Sequence, residues 1–108
     1  MIKIDLKPLS INEAFKGRRF KTDKYKRYEI KLKRLLPEIT INDKVDLKIF
    51  IEWGLSSLLS DVDNPAKPFI DILQKKYGFN DRYVQELNLR KVKVKKGEEY
   101  IKFKIKEI

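Results

Sequence analysis

VDLKIFIEW, residues 45–53, places Val45, Leu47, Ile49, Ile51 and Trp53 on one side and Asp46, Lys48, Phe50 and Glu52 on the other. A two-residue period of this kind marks a strand with one face buried. A buried strand face needs a cover, and the neighbouring segments supply it. On the N-terminal side, Tyr25, Tyr28, Leu32, Leu35 and Leu36 repeat at helical spacing. Thr22 or Asp23 is placed to cap that helix, and Pro37 ends it. On the C-terminal side, Phe69, Ile70, Leu73 and Tyr77 outline a second helix closed by Gly78. Its start has two registers, Asn64 before Pro65 or Lys67 before Pro68.

Farther out, the chain is extended again. Ile2, Ile4 and Leu6 alternate with Lys3, Asp5 and Lys7. Residues 8–20 have no clear period and read as a loop. Residues 84–94 read as a strand, with a phase change between Leu87/Leu89 and Val92/Val94 that suggests a bulge. KKGE (95–98) turns the chain, and YIKFKIKEI returns with Ile101, Phe103 and Ile105 inward and Lys102, Lys104 and Lys106 outward. GLSSLLS (54–60) either extends the central strand or bends away. The expected fold is a small α+β domain spanning residues 1–108, a mixed sheet packed by two helices.

The 108 residues include no cysteine and no histidine. Disulfides, thiolate metal sites, histidine bases and serine–histidine triads are thereby excluded. Catalysis by this chain falls to carboxylates, lysine, tyrosine, serine or an oxygen-ligated metal. MIKIDLK (1–7) has no long apolar run, and no stretch is long and apolar enough to span a bilayer. The expectation is a cytoplasmic protein with no membrane segment.

The net charge of +10 is unevenly spread. Residues 1–36 carry 12 basic and 4 acidic side chains, residues 37–79 carry 5 and 7, and residues 80–108 carry 9 and 5. An acidic middle between basic flanks suits a polyanion-binding protein with a cation site at its centre. A solubilising, lysine-rich surface is the plainer explanation.

The acidic middle centres on SDVDNPAKPFIDIL, residues 60–73. If SDVDN is extended, Asp61 and Asp63 project together, and two like charges so placed call for a cation between them. Mg²⁺ accepts one or two carboxylates and completes its shell with water and phosphate. Asp81, ahead of the next strand, would approach if the helix folds back on the sheet. Three carboxylates converging on phosphate would make a metal-dependent phosphodiester cleavage site. Lys67 would then stand as a cation over the scissile phosphate. The structural alternative is that the aspartates initiate turns and cap the helix. Asp71 is placed to pair with Lys67 across one helical turn.

The composite string D-x-D-N-x-x-K-x-x-x-D-x-L, here Asp61, Asp63, Asn64, Lys67, Asp71 and Leu73, resembles the RusA family of Holliday-junction endonucleases. PLSINEAFKGRRFKTDKYKRYE (8–29) is similar to that family's N-terminal region, with an Asn after the first strand, then basic residues and a helix. YGFNDRYVQELNLRK (77–91) is similar to its closing acidic motif and the strand that follows. The three segments occur in family order and together span most of the chain. The resemblance implies Asp61, Asp63 and Asp81 as metal-binding carboxylates and Lys67 as the active-site lysine. It also implies Mg²⁺ or Mn²⁺, a homodimer and a branched DNA substrate. Family members often carry two acidic residues where this chain has Asn80-Asp81, and Asp81 takes the ligand role. Lys16, Arg18, Arg19 and Lys21 lie where they would reach DNA phosphates, or else form a charged surface loop. Two other functions fit the residues without catalysis: a nucleic-acid-binding module, or a small interaction protein of a nucleoprotein assembly.

Overall fold

The computed structural model describes residues 1–17, 20–42 and 44–108. Along the chain run β1 (Ile2–Ile4), α1 (Ile11–Ala14), β2 (Phe15–Lys16), β3 (Phe20–Lys21), α2 (Asp23–Leu35), β4 (Leu47–Leu55) and α3 (Ala66–Tyr77). A 3-10 turn (Asp81–Tyr83), β5 (Val84–Lys93) and β6 (Tyr100–Glu107) follow. The main sheet has the order β1-β6-β4-β5, with β4 parallel to β5 and antiparallel to β6. It is a mixed sheet with its helices on one side, an α+β fold as the sequence pattern predicts.

The central strand behaves as its alternation requires. Leu47, Ile49, Ile51 and Trp53 are fully buried, and Lys48, Phe50 and Glu52 stand on the face that the helices leave open. Phe69 of α3 inserts between Trp53 of β4 and Phe103 of β6, with ring centroids 5.6 and 5.4 Å away and both contacts edge-on. Ile72 and Leu73 complete the buried stripe of α3. α2 contributes Tyr25, Tyr28, Leu32 and Leu36 to the same core, so the tyrosines are core residues. Leu35 faces outward at 48% exposure, leaving the helix one apolar residue narrower than its periodicity suggests.

Both caps of α2 and α3 predicted from residue type are present in part. Thr22 is the N-cap of α2, its hydroxyl accepting from Tyr25 N–H at 3.2 Å. Gly78 closes α3 in the left-handed region at φ 76°. The start of α3 fits neither register. Pro65 occupies the cap position with no side-chain cap, and Pro68 falls inside the first turn, where its missing N–H would have no helical partner anyway.

Residues 8–20 depart from the expected loop. Ser10 caps α1 by accepting from Glu13 N–H at 3.2 Å, while its hydroxyl donates to Glu13 Oε1 at 3.1 Å. Ser10-x-x-Glu13 has the spacing of a capping box, with the carboxylate taking the Ser10 hydroxyl in place of the Ser10 N–H, and a four-residue helix is too short for its periodicity to show. β2 and β3 then pair as a hairpin, which the Thr22 hydroxyl ties to α1 through Glu13 O at 2.6 Å.

The turn after β5 does not close a hairpin. β5 and β6 do not pair with each other; they flank β4, the strand with the most apolar face. β6 is therefore interior, and β1 and β5 are the edges. The register shift in β5 lies at Gln85, between the pairs Leu47↔Val84 and Lys48↔Glu86, and the ladder runs unbroken from there to Leu55↔Lys93. Leu87, Leu89 and Lys91 thus keep to the core side throughout. The phase change seen in the sequence is a lysine on an apolar face rather than a bulge.

Candidate active site

The segment after β4 does not continue as extended chain. Asn64 N–H donates to Asp61 O at 3.1 Å and Ala66 N–H to Asp63 O at 3.0 Å, two successive turns leading into α3. Asp61 and Asp63 are therefore brought to one side by turns and not by a strand period. Three distant elements hold this loop. The Trp53 indole N–H donates to Val62 O at 2.9 Å. The Lys91 ammonium donates to Leu58 O at 2.9 Å and Ser60 O at 2.8 Å. Ile11 N–H, from the start of α1, donates to Asn64 O at 3.0 Å. Within the loop, Asn64 Nδ2 donates to Ser60 Oγ at 3.0 Å. A loop backbone satisfied from β4, β5 and α1 holds its side chains in defined directions.

Those side chains open onto one cleft of about 650 Å³. Asp61, Asp63, Lys67, Asp71 and Asp81 line it together, with Asn12 and Asn64 at its walls and Ile70 and Leu87 as apolar lining. Every site residue named from the acidic motifs reaches this one cavity. Among the described residues, no group donates a hydrogen bond or an ion pair to the carboxylates of Asp61, Asp63 or Asp81. The cap of α3 is Pro65, so neither aspartate is a helix cap. Lys67 pairs with Asp71 at 3.5 Å across one turn, as spacing predicts, and its ammonium lies 5.7 Å from the Phe15 ring centroid.

Asp81 enters from the other end of α3. Its N–H donates to Gln74 Oε1 at 3.0 Å, whereas Asp61 and Asp63 precede the helix start. Eight residues of helix from Ala66 to Gln74 span about 12 Å. Among the described residues no three acidic side chains meet as a metal-holding group. The donors present are all oxygens, the set that suits Mg²⁺ or Mn²⁺, and Mg²⁺ needs only one or two carboxylates. Asp61 and Asp63, adjacent and unengaged, fit that requirement, with Asp81 facing them along the cleft. Asn80 has a structural task instead. Its Oδ1 accepts from Arg82 N–H at 3.0 Å and caps the 3-10 turn, which leaves Asp81 as the residue of the pair that faces the cleft.

Of the basic residues named with the hairpin, Lys16 and Lys21 are exposed on β2 and β3, and Arg18 and Arg19 lie outside the described residues. A second hollow of about 440 Å³ beneath the hairpin, lined by Ile11, Asn12, Phe15, Gly17 and Lys67, adjoins the acidic cleft through three shared residues. The residue that sequence reasoning missed is Lys91, the clamp on the acidic loop. Its signal was the lysine that interrupted the apolar phase of β5. Asn12, common to both hollows, was visible only as an Asn following the first strand.

In comparison with known proteins, no family model matches this chain, and no curated protein matches its sequence. No helix of the described residues is long and apolar enough to cross a membrane.

Proposed function

We propose that this protein is a Mg²⁺- or Mn²⁺-dependent endonuclease of branched DNA that resolves four-way junctions as a cytoplasmic homodimer. The observation that carries this reading is the gathering of Asp61, Asp63, Asp81 and Lys67 in one open cleft, the three carboxylates unengaged by described residues. A chain with a charge of +10 gains nothing in phosphate affinity from aspartates unless they hold a cation. The resemblance of the acidic motifs to the RusA family narrows the substrate to a junction.

In this reading Asp61 and Asp63 hold the cation, and Asp81 faces them from the far end of the cleft. The bound cation supplies Lewis acidity to a phosphate oxygen. Lys67 neutralises charge that develops on the scissile phosphate, and Asp71, one turn away, keeps its ammonium directed along the helix. Lys16 and Lys21 on the hairpin hold the DNA backbone. One chain presents a single cleft of this kind among its described residues, and two symmetric nicks need two, which a two-fold dimer supplies.

A labelled synthetic four-way junction incubated with the protein, with and without Mg²⁺, tests the reading. Paired nicks that need both metal and Asp63 are expected, and a junction left intact in Mg²⁺ and in Mn²⁺ would refute it. A mixed dimer of wild-type and Asp63→Asn chains is expected to nick one strand and leave the opposite strand uncut. The second reading is a nucleic-acid-binding module that does not cut, in which Asp61 and Asp63 serve only the two successive backbone turns that lead into α3.

A further inference from the structure

Outside the acidic cleft, two lysines from different elements meet over one aromatic ring. Lys21 of β3 and Lys75 of α3 place their ammonium groups 5.1 and 5.4 Å from the Tyr25 ring centroid. Tyr25 touches Phe15, with centroids 5.4 Å apart, and Phe15 lies under Lys67 of the cleft. Three ammonium groups therefore follow one aromatic ridge, beginning in the cleft and ending at the hairpin base.

The pair is built differently from a solvated lysine face. Lys75 is held by Glu29, with both carboxylate oxygens at 3.3 Å, and Glu29 is itself bound by Lys33 at 2.8 Å. Lys75 is thus fixed in place, while Lys21 has no carboxylate partner among the described residues. Two ammonium groups so close repel each other, and Lys75 pulls the Lys21 pKa below the usual lysine value. An anion seated between them removes that repulsion and gains two charge-assisted hydrogen bonds.

We propose that Lys21 and Lys75 grip a backbone phosphate of the same strand that places another phosphate at Lys67 in the acidic cleft. This subsite rests on the reading of the cleft as a phosphodiester site and gives the strand its direction, along α3 from Lys67 toward the hairpin. Lys67 and Lys75 are eight helical residues apart, about 12 Å. Successive phosphates of one strand rise only about 3.4 Å along the duplex axis but wind around it and lie about 7 Å apart, so this distance is about two nucleotide steps. The aromatic ridge between them gives the cations an apolar bed that keeps water away from one side of each contact.

The test reads binding, so no cut is needed. Junctions carrying one uncharged methylphosphonate linkage, moved stepwise along a strand, are titrated onto protein bearing Asp63→Asn. One linkage is expected to weaken binding about tenfold, and to have no further effect once Lys21→Met is added. It is expected about two nucleotides from the linkage that Lys67→Met silences in the same way. Losses that multiply at every linkage in the Lys21→Met protein would overturn the proposal. Lys75→Met removes a tie between α2 and α3 as well, so Glu29→Gln serves as its control. If Lys75→Met weakens junction binding no more than Glu29→Gln does, Lys75 is only a structural tie and the paired grip is refuted. A protein that shows the silenced linkage but never cuts in Mg²⁺ refutes the nuclease reading and leaves the subsite standing.

Discussion

Glu52 and Asp63 are both carboxylates carried on or just beyond β4, and their surroundings are opposite. Glu52, on the open face of the sheet, accepts from the Tyr100 hydroxyl at 2.7 Å and lies 3.6 Å from Arg90 and 3.9 Å from Lys102. Its charge is answered by three neighbours from two flanking strands. Asp63, with Asp61 beside it, receives nothing from the described residues although the chain has 26 lysines and arginines. The difference teaches where to look for function in a protein dense in charge. The contacts of Glu52 tie β4 to β5 and β6, and carboxylates without such ties are the ones to test for function.

The sharpest way to break that comparison is to remove one carboxylate from each region. Asp63→Asn is expected to lower Mg²⁺-dependent junction cleavage at least about a hundredfold, with junction binding unchanged or tighter because a negative charge leaves a phosphate-facing surface. Cleavage near the wild-type rate would put Asp63 in the same class as Glu52.

The next effect concerns the frame of the cleft. Lys91→Met leaves the Leu58 and Ser60 carbonyls without their donor, at an expected cost of about 1–3 kcal/mol in urea unfolding. Cleavage is expected to fall with it, since the acidic loop loses one of its three ties. The equivalent disturbance on the other face is Gly54→Ala. Gly54 stands opposite Tyr100, whose ring occupies the space that a Cβ would need. Overpacking of that kind is expected to cost about 1–3 kcal/mol, while the acidic cleft keeps its activity in the folded fraction.

Smaller effects separate the two carboxylates themselves. Glu52→Gln keeps an acceptor for Tyr100 but loses the charge that faces Arg90 and Lys102, an expected loss of about 1 kcal/mol with cleavage unaltered. Asp61→Asn is expected to change the stability of the free protein by less than about 0.5 kcal/mol, because no described residue leans on that carboxylate. A loss of 2 kcal/mol on thermal unfolding would show that Asp61 is structural after all.

Much of the frame was legible because it follows from local chemistry. The alternation of residues 45–53, the Thr22 cap, the Gly78 terminator and the Lys67–Asp71 pair all depend on neighbours within one or two turns. The same was true of the Ser10-x-x-Glu13 box, which was present in the sequence but obscured by the shortness of α1. The acidic motif was legible as a set of residue types, and Asp61, Asp63, Asn64, Lys67, Asp71 and Asp81 all line the cleft, while Leu73 packs in the core.

What local chemistry could not decide was which strands pair and what holds the acidic loop. β5 and β6 are joined by a short turn, and the tertiary fold nonetheless sets them on opposite sides of β4, since burying both edges of the most apolar strand outweighs the convenience of a hairpin. Lys91 looked like an error of phase until Leu58 and Ser60 were seen to lie above it. The separation of Asp81 from Asp61 and Asp63 is likewise set by the length of α3 and not by any motif. Sequence by itself determined the two long helices, the four strands of the main sheet, the Thr22 and Gly78 caps and the carboxylates available for a cation, because those rest on contacts of short range. Only the tertiary structure decided that one cleft collects them, because that depends on hydrogen bonds from Trp53, Lys91 and Ile11, residues as far as 53 positions from the chain they hold.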